Sequence, residues 1–175
     1  MTRAGAGAFR PTLEHGPTGV NSMDGGGEAP QSGGHGPQVV QDGEFAGWLA
    51  WRGLDPFEDQ SGPYVFREEP DGSVLCAFRA ERKHMNGGGF MHGGCLLTFA
   101  DFCLFAIAHR ELKDHRSVTV SLNGEFLGPS TEGELIECRG QVVRDGGLVF
   151  IRGLVTTGER PLLNFSGVVK KLRPR

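Results

Sequence analysis

The stretch from His84 to Ala108 reads HMNGGGFMHGGCLLTFADFCLFAIA. Its first part is rich in glycine. From Cys95 onward it is apolar at almost every position, broken only by Thr98 and Asp101. A run of about fifteen residues without Gly or Pro, dominated by Leu, Ala and Phe, predicts a helix. A helix that is apolar on most sides is expected to be largely enclosed. A carboxylate buried without a partner costs several kcal/mol, or it shifts its pKa and finds hydrogen bonds. Asp101 therefore has three open readings: a structural acid satisfied by backbone or by a cation, a base or nucleophile facing a pocket, or a metal ligand. Its helical neighbours Leu97, Leu104 and Phe105 offer no cation, which favours the pocket.

The glycines add a second feature. Gly93 and Gly94 fall in the first turn of the predicted helix, where N–H groups are unpaired and the helix dipole is positive. With no side chains there, another molecule can approach the backbone closely. Such a turn suits an oxyanion or an anionic ligand. A phosphate loop needs a Lys after its last glycine, and none follows. The dinucleotide pattern that starts at Gly87 fails at His92, and no serine nucleophile elbow is present. His84, His92, Cys95, Asp101 and Cys103 match no standard metal spacing, so no metal is expected.

Asp101 lies eight residues beyond Gly93, which is about 12 Å along a helix. An oxyanion donor and a catalytic carboxylate must both sit about 3 Å from one reacting centre. One helix does not easily supply both. Two copies of it side by side would, with Gly93 of one chain facing Asp101 of the other. A catalytic Asp101 thus predicts a dimer with two equivalent sites.

Around this segment, 175 residues are enough for one domain with a substantial core. The net charge is −3 and the isoelectric point about 6.1, which gives no electrostatic case for nucleic acid. No apolar run is long enough for a membrane helix, and no secretory leader is recognisable, so a cytoplasmic location is expected. Cys76, Cys95, Cys103 and Cys138 contain no CxxC pair and read as buried free thiols. Residues 1–43 hold 11 Gly and 4 Pro with Phe9 as their sole aromatic. They are expected to form a disordered tail, with Met23 as a second candidate start, and residues 44–175 the domain. Phe45, Trp48, Leu49 and Arg52 recur at helical spacing after Asp42 and predict a short helix. Two β-prone runs split by Pro70-Asp71-Gly72 predict a hairpin before the long helix. Four strand candidates follow His109, with turns at Asp145-Gly146-Gly147 and near Gly158. The expected fold class is α+β: an antiparallel sheet wrapped around one central helix.

Asn86, His92-Gly93-Gly94 and Asp101 form the pattern N-x5-H-G-G-x6-D. With TVSLNGEFLGP after the helix, this resembles the hotdog-fold acyl-CoA thioesterases of the phenylacetic-acid-pathway (PaaI) type. The resemblance covers roughly Gly62 to Leu172. It implies a curved sheet around the long helix, and dimers that often pair into tetramers. It implies an acyl-CoA substrate, with coenzyme A as part of the substrate and no other cofactor. In that frame Gly93 donates its N–H to the thioester oxygen, and Asp101 of the partner chain activates water or attacks the carbonyl. Asn86 helps hold the water or the thioester, His92 supports the loop, and Thr119 brings a hydroxyl near the water. Gly94, Phe90 and Met91 are candidates for substrate binding. Arg144, Arg152, Lys170 and Lys171 are candidates for the coenzyme A phosphates. Two other readings stay open: a hydratase or dehydratase using His84 or His92, and an acyl-CoA sensor without turnover.

Overall fold

A computed structural model describes residues 36–173. Eight antiparallel strands form one sheet in the order β1-β2-β3-β4-β6-β7-β8-β5. The strands are β1 (Gln38–Val39), β2 (Leu49–Ala50), β3 (Val65–Glu68), β4 (Val74–Arg79), β5 (Ser117–Phe126), β6 (Leu135–Arg144), β7 (Leu148–Thr157) and β8 (Arg160–Lys171). Helix α2 (Gly93–Ile107) lies against one face of this sheet and meets β4 through β8. Two shorter helices, α1 (Pro56–Ser61) and α3 (His109–Leu112), flank it. The hairpin, the long helix and the four later strands stand where the sequence places them.

The core is the layer between α2 and the sheet. Phe99, Phe102, Cys103, Leu104 and Ala106 from the helix pack on Phe66, Cys76, Phe78, Ile136, Cys138, Val149, Ile151, Phe165 and Val169. Alternation along β7 and β8 turns every second side chain inward, as half-buried strands require. Close approach of the helix depends on glycine. A Cβ at Gly167 would lie 2.5 Å from Leu104 Cδ1, and one at Gly140 would lie 2.5 Å from Ile107 Cδ1. A larger residue at either position would crowd these side chains, and at Gly140 it would also meet the Arg152 backbone oxygen.

All four cysteines are free thiols. Cys76 and Cys138 are cross-strand partners, and both belong to the core cluster that holds Cys103 of the helix. Burial pushes the Cys76 and Cys103 thiols up, which keeps them protonated and inert. Cys95 is only half-buried, with its sulfur 3.9 Å from the Tyr64 hydroxyl.

The N-terminal part of the domain differs from expectation. No helix forms between Asp42 and Arg52. Gly43 and Gly47 adopt φ of 79° and 87°, which ends helical backbone at both points. The segment turns back on itself, with Val40 N donating to Trp48 O and Gly47 N to Val40 O. The apolar spacing is real but serves another surface. Val40, Phe45 and Trp48 pack with Ala50, Val65, Ala77 and Leu135 in a second cluster. Val65 and Ala77 are cross-strand partners that alternate with the helix-facing Phe66 and Cys76, so this cluster covers the opposite face of the sheet. The helix forms later instead. Asp55 caps it by accepting from Phe57 N and Glu58 N, and Pro56 occupies its first turn. Residues 1–35 lie outside the described residues. The last residues of the expected tail join the fold, since Gln38–Val39 pairs with β2 and Val40 is buried.

Candidate active site

Helix α2 is enclosed on all sides but one. Along Gly94, Leu97, Thr98, Asp101 and Phe105, spaced three and four apart, no residue is fully buried. Asp101 stands in this stripe, not in the core. Thr119 Oγ1 donates to Asp101 Oδ1 at 2.7 Å. That residue is on β5, whose one partner among the described residues is β8, so the contact joins the open stripe to the sheet edge. Burial raises the Asp101 pKa above the usual carboxylate range. The Thr119 hydrogen bond pulls it back, and the Asp55 carboxylate raises it further. No cation pairs with Asp101 among the described residues. The result is a half-buried acid whose pKa is raised and whose second oxygen has no hydrogen-bond partner among the described residues.

Asp101 opens on a cavity of about 300 Å³, lined by Asp55, Phe57, Glu58, Leu97, Thr98 and Asp101. A neighbouring cavity of about 410 Å³ is lined by Ala50, Trp51, Arg52, Gly53, Glu58, Asp59, Pro63 and Tyr64. Glu58 borders both. Its pKa is pushed up to about 7, first by burial and then by the Asp55, Asp101 and Asp59 carboxylates. Sequence reading passed over α1 entirely. The one signal for it was Asp55-Pro56 followed by Glu58 and Asp59, an N-cap with acids in the first turn.

The glycine loop is held by its own polar groups. Asn86 Oδ1 accepts from Gly88 N at 2.8 Å and from Phe90 N at 3.2 Å. Its amide oxygen is therefore spent inside the loop, and only its NH2 remains to meet a ligand. His92 is the N-cap of α2, with Nδ1 accepting from Gly94 N at 2.9 Å. That occupies the Gly94 N–H. The Gly93 N–H, one residue earlier, has no acceptor among the described residues. The Phe126 ring lies over Gly93, so close that a Cβ there would come within 3.1 Å of it. Only glycine leaves that N–H approachable.

Other expected residues lie elsewhere. Met91 is buried in the core and its N–H is bonded to Ser130 O. It packs beneath the loop and lines neither cavity. Phe90 is exposed, bridged to Thr131, and also outside both cavities. His84 is buried with both ring nitrogens in use: Nδ1 accepts from Glu81 N, and Nε2 donates to Ser61 O. Burial holds its pKa down, so it is a neutral structural imidazole. Lys171 is paired with Asp145 at 2.6 Å, and the Arg144 guanidinium lies 6.0 Å from the Phe150 ring. Arg152 and Lys170 point outward from the sheet. Among the described residues, no three His, Cys, Asp or Glu lie close enough to hold a metal. Nor is any described helix long and apolar enough to cross a membrane.

The thioesterase superfamily model matches residues 88–159, the segment that runs from the glycine loop through α2 to the turn after β7. A Pseudomonas aeruginosa protein, PA0474, whose name presumes an esterase, is 34% identical over 115 residues, covering 65% of this chain and 86% of its own. The chain belongs to the thioesterase superfamily. Human acyl-coenzyme A thioesterase 13 is 29% identical over 91 residues, covering 51% of this chain and 64% of that protein. Among solved structures, Escherichia coli PaaI from the phenylacetic acid degradation operon superposes with a TM-score of 0.59 at 16% identity, over 68% of this chain and 86% of that one. A hypothetical thioesterase from Streptococcus pneumoniae, solved with coenzyme A, gives a TM-score of 0.57 at 19% identity, over 64% and 88%. At that level of identity they speak for the fold alone. The sheet wrapped on α2 is the hotdog fold of this superfamily.

Proposed function

We propose that this protein is an acyl-CoA thioesterase, hydrolysing a thioester to a free acid and coenzyme A at a site shared by two subunits. The observation that carries the reading is Asp101. A half-buried carboxylate without a cation, aligned by one hydroxyl and opening on a cavity, is costly to the fold and suited to a base or nucleophile. In the proposed site Asp101 activates the water that attacks the thioester, or attacks the carbonyl itself. Thr119 fixes the carboxylate in position. The Gly93 N–H of the partner subunit receives the oxyanion, helped by the positive end of α2. The thiolate of coenzyme A is a good leaving group, so these parts suffice for turnover.

The need for two subunits follows from helix rise and from the surface. Gly93 and Asp101 stand about 12 Å apart on one helix. The open stripe of α2 carries Leu97 and Phe105. The adjoining edge strand β5 exposes Val118, Val120 and Phe126. A ten-residue strand with one edge open among the described residues, beside an apolar stripe, is a surface suited to being covered. A second copy placed there would set each Gly93 against the other chain's Asp101, and pairing of dimers into a tetramer is compatible with this.

Release of free thiol from a panel of acyl-CoAs tests the reading, with wild type and Asp101→Ala side by side. Wild-type turnover that disappears in a folded variant supports it. Tight acyl-CoA binding with no turnover by wild type would make the protein a sensor instead. A hydratase would have to use His92, whose Nδ1 caps α2, because both His84 nitrogens are committed to the backbone.

A further inference from the structure

The acids of α1 do not all serve the fold. Asp55 caps the helix, and the Asp59 carboxylate accepts from Gly53 N. Glu58 has no hydrogen-bond donor and no ion-pair partner among the described residues. Yet it is drawn in against α2 and forms a wall of the cavity on which Asp101 opens. A half-buried carboxylate with no structural partner costs stability. No Lys, Arg or His lines that cavity. Its uncharged walls are Phe57, Leu97 and Thr98, and the Thr98 hydroxyl is turned back onto Gly94 O.

We infer that Glu58 is a specificity-determining residue of this site: its carboxylate rejects acyl groups that carry a negative charge, so the substrates are thioesters of uncharged acids. The inference rests on the thioesterase reading and adds the substrate class. With the carbonyl held at Asp101, an acyl group that enters the cavity runs between Phe57 and Leu97 on its apolar side and meets Glu58 and Asp55. An anionic tail there would find two carboxylates and no cation, a strong repulsion in a partly buried setting. An aliphatic or aromatic tail would cover apolar surface at no such cost.

Glu58 gives the discrimination a pH dependence. The groups around it are Asp55 and Asp59 on its own helix, Asp101 from α2, and Arg52 and Tyr64 around the adjoining cavity. Burial first, and then the Asp55, Asp101 and Asp59 carboxylates, push the Glu58 pKa up to about 7. Below that it is neutral and repels little. Above it is charged, and rejection of anionic tails strengthens.

The test compares hexanoyl-CoA with adipoyl-CoA, which have the same carbon count and differ by one terminal carboxylate. Taking the ratio of kcat/KM cancels the ionisation of Asp101, which both substrates share. The expected ratio in wild type favours hexanoyl-CoA by on the order of tenfold or more at pH 8 and shrinks at pH 6. Glu58→Gln should lower the ratio and flatten its pH dependence, and Glu58→Lys should lower it further. Equal rates on the two substrates in wild type, or a ratio unchanged in both variants, would overturn the inference while leaving the thioesterase reading intact. Failure to hydrolyse any acyl-CoA would overturn both.

Discussion

On the side of α2 that meets the sheet, Phe99, Phe102, Cys103 and Ala106 are shut away, each touching apolar neighbours. On the other side, Gly94, Leu97, Thr98, Asp101 and Phe105 are only partly covered. Both sides are mostly apolar, so a count of hydrophobic residues does not separate them. What separates them is what lies opposite. The first side is matched residue by residue by the inward-facing positions of five strands. The second faces α1 across a cavity and the hydroxyl of Thr119, with Leu97 and Phe105 only partly covered by described residues. Burial without function on one side and partial burial with unspent polar groups on the other is the pattern of a scaffold carrying a site.

Substitutions on the two sides should therefore fail in different ways. The largest expected effect on turnover is at Asp101. Asp101→Ala should cost about 10²–10⁴-fold in kcat while thermal unfolding is little changed. A variant that unfolds instead would return Asp101 to the structural side of the comparison. Phe102→Ala, one residue along, should do the reverse: it should destabilise by about 3–5 kcal/mol in denaturant titration, with activity lost only as the protein unfolds.

A third substitution probes the open side as an interface. Leu97→Glu adds a charge to the apolar stripe at a half-buried position on the rim of the core. If a second copy covers that stripe, sedimentation should show a folded monomer. A variant that remains dimeric would show that the stripe is not the subunit contact.

How far the two sides were legible in sequence follows from the same contrast. The long helix, the hairpin and the four later strands could be read because period and breakers agree there. Asp101 stood out because one charge among apolar residues is a local signal. Likeness to a family pointed to a Thr119 hydroxyl near the water, but its contact with Asp101, eighteen positions away, appears only in the folded chain. The segment from Asp42 to Arg52 misled, because apolar spacing is shared by a helix and by a turn that folds onto a sheet face. There the positive φ at Gly43 and Gly47 decides. Glu58 was invisible, since a Glu in a Pro- and Asp-rich loop reads as solvated. Only the packing of α1 on α2 gives it a role.

A smaller effect is expected at Thr119. Its hydrogen bond favours the ionised form of Asp101 and lowers a pKa that burial raises. Thr119→Val removes that help, so the Asp101 pKa should rise. The acid limb of the pH–rate profile should move to higher pH, with activity largely regained on the alkaline side. An unchanged limb would mean that another group controls it.

The smallest effect is on stability, and it tests whether the open side is costly to the fold. The folded pKa of Glu58 lies near 7, above the ordinary value of 4.5. Between those two pH values the folded chain holds a proton that the unfolded chain has released. Stability must then fall as pH rises through that window and level off above about 7. Glu58→Gln removes the titration, so its melting temperature should decline less than that of wild type between pH 4.5 and 7. At pH 8 the variant should be the more stable protein, by a margin that high salt reduces only in part because Glu58 is half-buried. Parallel melting curves for wild type and variant across that range would mean that Glu58 sits in water, and the argument that its placement costs the fold anything would fail with it.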